Sequence, residues 1–207
     1  MIERPLLVNV VLFRLADEAL QVLLASPVQA WELPGSELGN HEGLEQAAER
    51  AIAALLDRPK THLEQLFTYG EENRAPVRVV YFAIVPAEAG LVPGKPVRWT
   101  PVAQAPSLAH EHAEILAYAL RRLRYKLEYT AVGFQLLQPE FTLSELQHTY
   151  EIILDEKLDK RNFRRRMLQS GIIEVTSHLR TGEGRPARLY RYRPDAVAEV
   201  KARRLFP

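Results

Sequence analysis

The first residues in this chain whose side chains could carry out chemistry are three glutamates. Glu42, Glu45 and Glu49 fall in a segment whose apolar residues recur at helical spacing from about Glu42 to Asp57. Carboxylate oxygens are the ligands that Mg²⁺ prefers. Three acids, of which Glu45 is one of several exposed helix acids, are too few to surround such an ion. We therefore predict that this segment has neither a metal site nor catalytic residues.

A second group of reactive side chains is basic and lies near the end of the chain. Residues 157–193 contain 11 Lys or Arg but only 3 Asp or Glu, whereas residues 1–156 contain 13 bases and 21 acids. The net charge of +1 therefore conceals an acidic N-terminal segment, residues 1–156, and a basic segment, residues 157–193. This asymmetry predicts two modules with different partners, and a polyanion is the natural partner of the second.

The basic segment contains a predicted helix that starts after Asp159, a good N-cap, and stops at Gly171, a good C-cap. At 100° per residue, three apolar residues share one side: Phe163, Met167 and Leu168. The opposite arc holds Arg161, Asn162, Arg165, Arg166 and Gln169. Such an arc suits a major groove, where Arg reads guanine and Asn or Gln reads adenine. Lys160 and Arg164 lie nearer the apolar side and are expected to reach phosphates.

A β-hairpin is predicted to follow this helix, with strands over 172–177 and 187–192. Its turn region supplies Arg180, Arg185 and Arg188, which a wing would lay against the DNA backbone or minor groove. A solvated basic face is the alternative, but a basic helix followed by a basic hairpin favours double-stranded DNA. RNA is disfavoured because exposed aromatic residues suited to base stacking are not evident. The dinucleotide-like spacing over 182–187 precedes a strand, so we interpret it as a hairpin turn.

The remaining elements form two groups along the chain. Strands are predicted over 6–13, 21–25, 63–69 and 78–85 and near 97–99. After a proline-rich stretch over 86–106, helices are predicted over 110–128 and 142–153. Thr142 stands three residues before Glu145, the spacing of a capping box. Three helices and a hairpin in this order predict a winged helix-turn-helix. The expected fold is therefore α+β, with one domain over 1–105 and a second over 106–207.

Other chemistries find no support in the sequence. Cysteine is absent, which excludes disulfides and thiolate metal sites. The six histidines show no H-E-x-x-H spacing, and no G-x-S-x-G elbow or Walker loop is present. We expect no cofactor. The start lacks a signal peptide, and the apolar run 6–13 is far shorter than the ~20 residues that span a bilayer. The expected location is cytoplasmic, without a membrane partner.

Two sets of residues resemble one family. The segment 31–35 (WELPG), followed by Glu42 and Arg50, resembles the Nudix box, a Gly-rich loop and a helix that carries glutamates. The family's other three glutamates are replaced here by Ala51, Ala54 and Leu55. The tail resembles the winged-helix half of the Nudix-related transcriptional regulators that control NAD metabolism in bacteria. The resembling segments of the tail are 122–130, 141–147, 160–165 and 184–191.

The resemblance implies a Nudix-like α/β/α sandwich with a mixed sheet, followed by the winged helix, in a homodimeric repressor. It implies a first domain that senses ADP-ribose or a related nucleotide with little or no hydrolase activity, and a second that binds a palindromic operator. This chain departs from the family by one extra residue between Gly35 and Glu42, by Ser36 in place of a glycine, and by a shortened loop over 74–78. The effector therefore stays open, since relatives of similar architecture respond to sugars or other metabolites.

Five side chains are the candidates for effector contacts: Trp31 and Tyr69 for stacking on a base or ribose, and Arg50, Arg74 and Arg78 for pyrophosphate. The alternative is that Arg50 pairs internally with Glu42 or Glu32, and that Trp31 belongs to the core or to an interface. Three functions remain open. They are a ligand-responsive regulator, an active Nudix pyrophosphatase with an appended nucleic-acid module, and a DNA-bound scaffold whose first domain only dimerises.

Overall fold

The computed structural model describes residues 5–26, 30–57, 61, 63–70, 76–109, 111–129, 131–181 and 186–196. The chain divides into two compact units, residues 1–120 and 121–207. The division falls within a helix that starts in the first unit, while the domain boundary at 105/106 stays a prediction. No helix among the described residues has the length and apolar character needed to cross a membrane.

The first unit is built on a mixed sheet. Its strands are β1 (Leu6–Ala16), β2 (Ala19–Ala25), β3 (Gly35–Glu37), β4 (Glu64–Tyr69), β5 (Val77–Ile84) and β6 (Val97–Pro101). The order is β4-β5-β1-β2-β6, and β3 also pairs with β1. β1 and β5 run parallel and the other pairs are antiparallel. The mixed sheet predicted for this domain is therefore confirmed.

β1 and β2, predicted over 6–13 and 21–25, pair as an antiparallel hairpin and extend closer to the turn than predicted. Its turn residues, Asp17 and Glu18, have φ of 51° and 57°, so both adopt the left-handed conformation that a two-residue hairpin loop requires. β3 was not predicted, because three residues are too short to show a period. It fits beside β1 because Gly35 has no side chain. A Cβ there would lie 2.4 Å from Asn9 Nδ2.

Helix α1 spans Leu44–Ala53 and buries Ala47, Ala48, Ala51 and Ile52 against the sheet. The predicted range of 42–57 was wrong at both ends. At the start, Gly43 is the N-cap and its N–H donates to the Gln46 side chain, so Glu42 stays outside the helix. At the end, Leu56 is buried and bridges to Leu91, which diverts the chain. Pro59, a residue type that ends helices, follows the predicted range and lies outside the described residues.

The second unit has the order predicted for a winged helix. Its elements are α2 (His112–Tyr129, begun in the first unit), α3 (Leu143–Leu154), α4 (Lys160–Ser170), β7 (Ile173–Arg180) and β8 (Ala187–Tyr192). The Thr142 capping box is confirmed, with Thr142 N donating to Glu145 Oε2 at 2.7 Å and Glu145 N donating to Thr142 Oγ1 at 3.1 Å. Asp159 and Gly171 cap α4 as predicted, the latter with φ of 70°. β7 extends three residues beyond its predicted end.

Candidate functional site

Helix α4 is held to its unit by a narrow apolar face. Phe163 and Met167 are buried, and the Phe163 ring packs edge-on against Tyr150 with centroids 5.5 Å apart. The assignment of Leu168 to this face was wrong, because Leu168 is 52% exposed. One residue corresponds to about 100° of rotation around a helix, which carries Leu168 out of the seam that holds Met167. Leu168 therefore belongs to the polar surface.

The surface of α4 away from this seam is strongly basic. Arg161, Arg165 and Gln169 are exposed, while Asn162 and Arg166 are half-buried. Among the residues that the structure describes, the side chains of Lys160, Arg161 and Arg166 make no hydrogen bond or ion pair. No described residue therefore neutralises these charges, which leaves them available to phosphates or base edges.

Arg164 differs from its neighbours because it is bound within the unit. Its Nη2 donates to Ser144 Oγ at 2.9 Å, which joins α4 to the first turn of α3. Removing this contact would loosen the two helices of the helix-turn-helix. The structure thus places Arg164 between the helices, and its predicted phosphate contact stays a prediction.

The hairpin of β7 and β8 contributes cations of two kinds. Arg188 is exposed and, within the described residues, has no hydrogen bond or ion pair. Arg180 instead bonds to the main-chain oxygen of Glu140 at 3.3 Å and lies 3.4 Å from the Glu145 carboxylate. Arg191 pairs with Glu174. Arg185 and the turn at 182–184 lie outside the described residues. Arg180 and Arg191 thus make contacts within their own unit, whereas the charge of Arg188 is available to a partner.

In the first unit, Arg50 makes internal contacts. Its Nε and Nη2 donate to the two oxygens of Glu42, each at 2.8 Å, and Nη2 also donates to the main-chain oxygen of Glu37 at 2.9 Å. The hydrogen bond from Arg50 and a second from Gly39 N–H lower the pKa of Glu42 to about 2. The internal pairing with Glu42, weighed as the alternative for Arg50, is the arrangement in the structure.

The positions that hold glutamates in the Nudix box carry no ligand groups here. Ala51 is buried, Ala54 is the C-cap residue, and Leu55 lies beyond the helix end. Across the described residues, no group of three His, Cys, Asp or Glu is placed to hold a metal ion. The hydrogen bonds that Glu42 accepts thus fix the loop before α1.

Arg78 is the centre of a buried polar cluster. Its side chain is 10% exposed, its Nε donates to Glu111, and its Nη1 donates to Asn9 Oδ1 at 3.1 Å. Asn9 Nδ2 in turn donates to the main-chain oxygens of Leu33 and Pro34 at 3.3 Å. Sequence reasoning missed Asn9 and Glu111. The available signal was Asn9 itself, a lone polar residue in the apolar run 6–13, where a buried amide must find partners.

The aromatic candidates lie in two different surroundings. Tyr69 and Arg78 are cross-strand neighbours on β4 and β5, and Tyr69 Oη lies 3.4 Å from Glu114 of α2. Trp31 is half-buried, with the Arg98 guanidinium carbon 3.9 Å from its ring centroid. Arg98 was not predicted, because cation–π partners are set by sheet pairing and not by sequence spacing. Arg74 lies outside the described residues. The structure therefore brings together Tyr69 and Arg78 among the five candidates.

A Nudix-type mixed sheet followed by a basic helix and hairpin defines a two-domain transcriptional regulator of the winged-helix class. Residues 133–192 match a family model described as the NrtR DNA-binding winged helix domain. The chain is 36% identical over 201 residues to the ADPR responsive transcriptional repressor NtrR of Acinetobacter baylyi, which covers 89% of this chain and 80% of that protein. The chain therefore belongs to the NrtR family of Nudix-related transcriptional regulators.

Two solved structures are similar over nearly the whole chain. Shewanella oneidensis NrtR complexed with a 27mer DNA is 35% identical with a TM-score of 0.77, covering 93% of this chain and 95% of that chain. Another structure of Shewanella oneidensis NrtR is 34% identical with a TM-score of 0.76, covering 94% and 96%. The predicted fold class, a Nudix-like domain followed by a winged helix, is thereby confirmed.

Proposed function

We propose that this chain is a homodimeric repressor that binds operator DNA through its winged helix and releases it when the Nudix-like domain binds ADP-ribose or a related nucleotide. The observation that carries the proposal is the basic surface of α4, where the side chains of Lys160, Arg161 and Arg166 have no partner in the described part of the chain. Two relatives support it, one a repressor named for its response to ADPR and one solved with DNA. Genes of NAD metabolism are the proposed targets, and the cytoplasm is the proposed location.

The proposed DNA contacts divide by chemistry. Base edges in the major groove are read from the exposed arc of α4, and phosphates are bound by further cations of α4 and of the hairpin segment. The proposed base-reading set is Arg161, Asn162, Arg165, Arg166 and Gln169. The proposed phosphate set is Lys160, Arg164, Arg185 and Arg188. Arg164 is the least favoured member of the phosphate set, because its side chain already donates to Ser144.

The proposed effector contacts are Trp31, Arg50, Tyr69, Arg74 and Arg78. A pyrophosphate is an acceptor for several N–H groups, so it can compete with a carboxylate for an arginine. Arg50 has a half-exposed side chain and pairs with Glu42 close to solvent. Arg78 is more deeply buried, so its release from Glu111 requires a local rearrangement. Effector binding would favour a dimer in which two winged helices no longer fit both half-sites, and operator affinity would fall.

We further propose that the Nudix-like domain is not an enzyme. Ala51, Ala54 and Leu55 replace the acids that a Mg²⁺-dependent pyrophosphatase would use. The competing proposal is an active pyrophosphatase that draws its acids from elsewhere in the sheet. A sensitive assay of the purified chain with ADP-ribose and Mg²⁺ distinguishes the two, since the repressor proposal expects no sustained turnover. Substantial hydrolysis would favour the enzyme.

The binding function is tested by titration calorimetry of the full chain with ADP-ribose, followed by gel-shift assays on promoter fragments. We expect saturable binding of the nucleotide and a weaker shift in its presence. A matched pair of variants locates the site: Arg50→Ala removes a proposed contact, while Glu49→Ala, at the neighbouring exposed residue of α1, removes none. Absence of heat with nucleotides and with sugars would favour a scaffold whose first domain only dimerises.

A further inference from the structure

A short chain of hydrogen bonds runs along the exposed face of α4. Asp159 Oδ1 accepts from the main-chain N–H of Asn162 at 2.8 Å, and Asn162 Oδ1 accepts from Arg165 Nη2 at 2.8 Å. Asn162 and Arg165 are three residues apart, which places them as neighbours on one helix face. Arg165 is exposed, and Asn162 is half-buried beside it. The free protein thus already holds the Arg165 guanidinium in one orientation.

We propose that Asn162, which lies on the base-reading arc of α4, contributes to readout as a positioning residue: it sets Arg165 to read a guanine and does not contact a base itself. This inference rests on the proposed function as a DNA-binding regulator. An arginine has five N–H donors, so one bond to Asn162 leaves enough donors for the paired contact with guanine O6 and N7. Reading of adenine by asparagine needs the amide oxygen to accept from N6 and the amide nitrogen to donate to N7, in one plane. The bond from Arg165 occupies one of the two lone pairs of this oxygen and so fixes the amide in the orientation that serves Arg165.

Two other arginines of the exposed arc, Arg161 and Arg166, lack this constraint. Arg161 and Arg166 have no hydrogen-bond or ion-pair partner in the described part of the chain, so each must lose side-chain freedom when it binds DNA. Arg165 has lost part of that freedom before binding. Both Asn162 and Arg165 lie in the first half of α4, the part of a recognition helix that contacts base edges. The bond between Asn162 and Arg165 therefore favours Arg165 as the arginine of this helix that reads a guanine.

The test is selection of preferred sequences by the full chain from a library of duplexes with a randomised centre. The wild type and the variants Asn162→Ala, Arg165→Ala, Asn162→Asp and Asn162→Ala/Arg165→Ala are compared. We expect Asn162→Ala and Arg165→Ala to lose preference at the same G·C pair, with affinity for the selected site falling about 5- to 150-fold for Arg165→Ala. The double variant should be no worse than Arg165→Ala, because the two residues act as one unit.

The Asn162→Asp variant separates positioning from readout. An aspartate keeps the acceptor for Arg165 and suits the first turn of a helix, but it cannot donate to adenine N7. We expect it to retain the guanine preference while overall affinity falls, because a negative charge faces the phosphates. Leu168→Ala, at an exposed residue of α4 that belongs to none of the proposed contact sets, is the matched control and should leave the guanine position unchanged. Thermal melts of each full-length variant check that the fold is kept.

Two results would overturn the inference while leaving the proposed function intact. The first is that Asn162→Ala abolishes the preference at an A·T pair and leaves the guanine in place. The second is that Asn162→Ala leaves every selected position unchanged. If the wild type itself enriches no sequence, the proposed function fails and the inference fails with it. Retained guanine preference in Asn162→Asp together with its loss in Asn162→Ala would support the positioning role.

Discussion

The guanidinium of Arg50 lies in a two-bond contact with the carboxylate of Glu42, with both N···O distances 2.8 Å. These two residues keep the spacing of the Nudix box, yet they bind each other. Gly39 N–H completes the arrangement by donating to the same carboxylate at 2.9 Å. The segment that presents metal ligands in a Nudix hydrolase is used here to fix the loop before α1.

This contact predicts a specific dependence of stability on pH. The folded-state pKa of Glu42 is lowered from 4.5 to about 2, so its contribution to stability is complete above pH 4.5 and is lost as the pH falls towards 2. Glu42→Gln should therefore be less stable than the wild type at pH 6, and this difference should shrink at pH 3. Urea unfolding at the two pH values measures it.

Glu49→Gln is the control for this experiment. Glu49 is exposed on the same helix and, within the described residues, makes no hydrogen bond or ion pair. We expect this variant to follow the wild type at both pH values. A Glu42→Gln variant that stays equally far from the wild type at pH 6 and pH 3 would contradict the assigned role of the Arg50 contact.

Gly133 predicts a second measurable effect on stability. A Cβ at this position would lie 2.9 Å from Leu127 Cδ2 and 2.9 Å from Tyr150 Cε2, in the buried core of the second unit. Gly133→Ala should lower the free energy of unfolding by roughly 1–3 kcal/mol, the usual cost of overpacking. In the control Gly70→Ala, the new Cβ meets only Val77 Cγ2 at 3.8 Å, an ordinary contact. Equal stability of the two variants, in urea unfolding, would rule out the crowding.

The two faces of α4 are tested by neighbouring substitutions. Met167 is 1% exposed and Leu168 is 52% exposed. Met167→Ala should lower the free energy of unfolding by about 2–5 kcal/mol, because it leaves a cavity under the helix. Leu168→Ala should change it by no more than about 0.5 kcal/mol, because its side chain is largely in solvent. Comparable losses in both variants would mean that α4 is rotated relative to the structure.

Arg188 predicts the electrostatic behaviour of DNA binding. Arg188 is exposed on β8 and its side chain has no partner among the described residues, so it is the member of this strand suited to a phosphate. Arg188→Ala should weaken binding to all duplex sequences alike and lower the slope of log K against log salt by about 1. Arg191→Ala is the control on the same strand, since Arg191 is held by Glu174. Fluorescence anisotropy across a salt series measures both slopes, and an unchanged slope in Arg188→Ala would place β8 away from the DNA.

Local rules were sufficient for the helix boundaries of the second unit. Thr142, Asp159 and Gly171 act on main-chain groups within four residues, so their sequence neighbourhood contains the whole interaction. The end of α1 could not be predicted in the same way. It depends on Leu56 meeting Leu91, a contact between residues far apart in the chain.

The sequence was sufficient to predict which residues are candidates for the site, but not which residues they contact. Periodicity placed Arg161 and Arg165 on the exposed arc of α4, and the structure places them there. It could not show that Arg180 is drawn to Glu145 or that Arg78 is drawn to Glu111, because both partners come from distant elements. The prediction for Leu168 was wrong for a different reason. When the apolar face of a helix is narrow, a helical wheel does not show whether a residue at the edge of that face is buried.

The most direct test of the central claim is a competition experiment with the full chain, using fluorescence anisotropy at about 0.15 M salt. A promoter fragment from genes of NAD metabolism competes with random duplex DNA, with and without ADP-ribose. We expect the promoter to bind at least about 1,000-fold more tightly than random duplex, and ADP-ribose to weaken that binding by about 5- to 150-fold. Equal affinity for promoter and random duplex, unaltered by the nucleotide, would contradict the account.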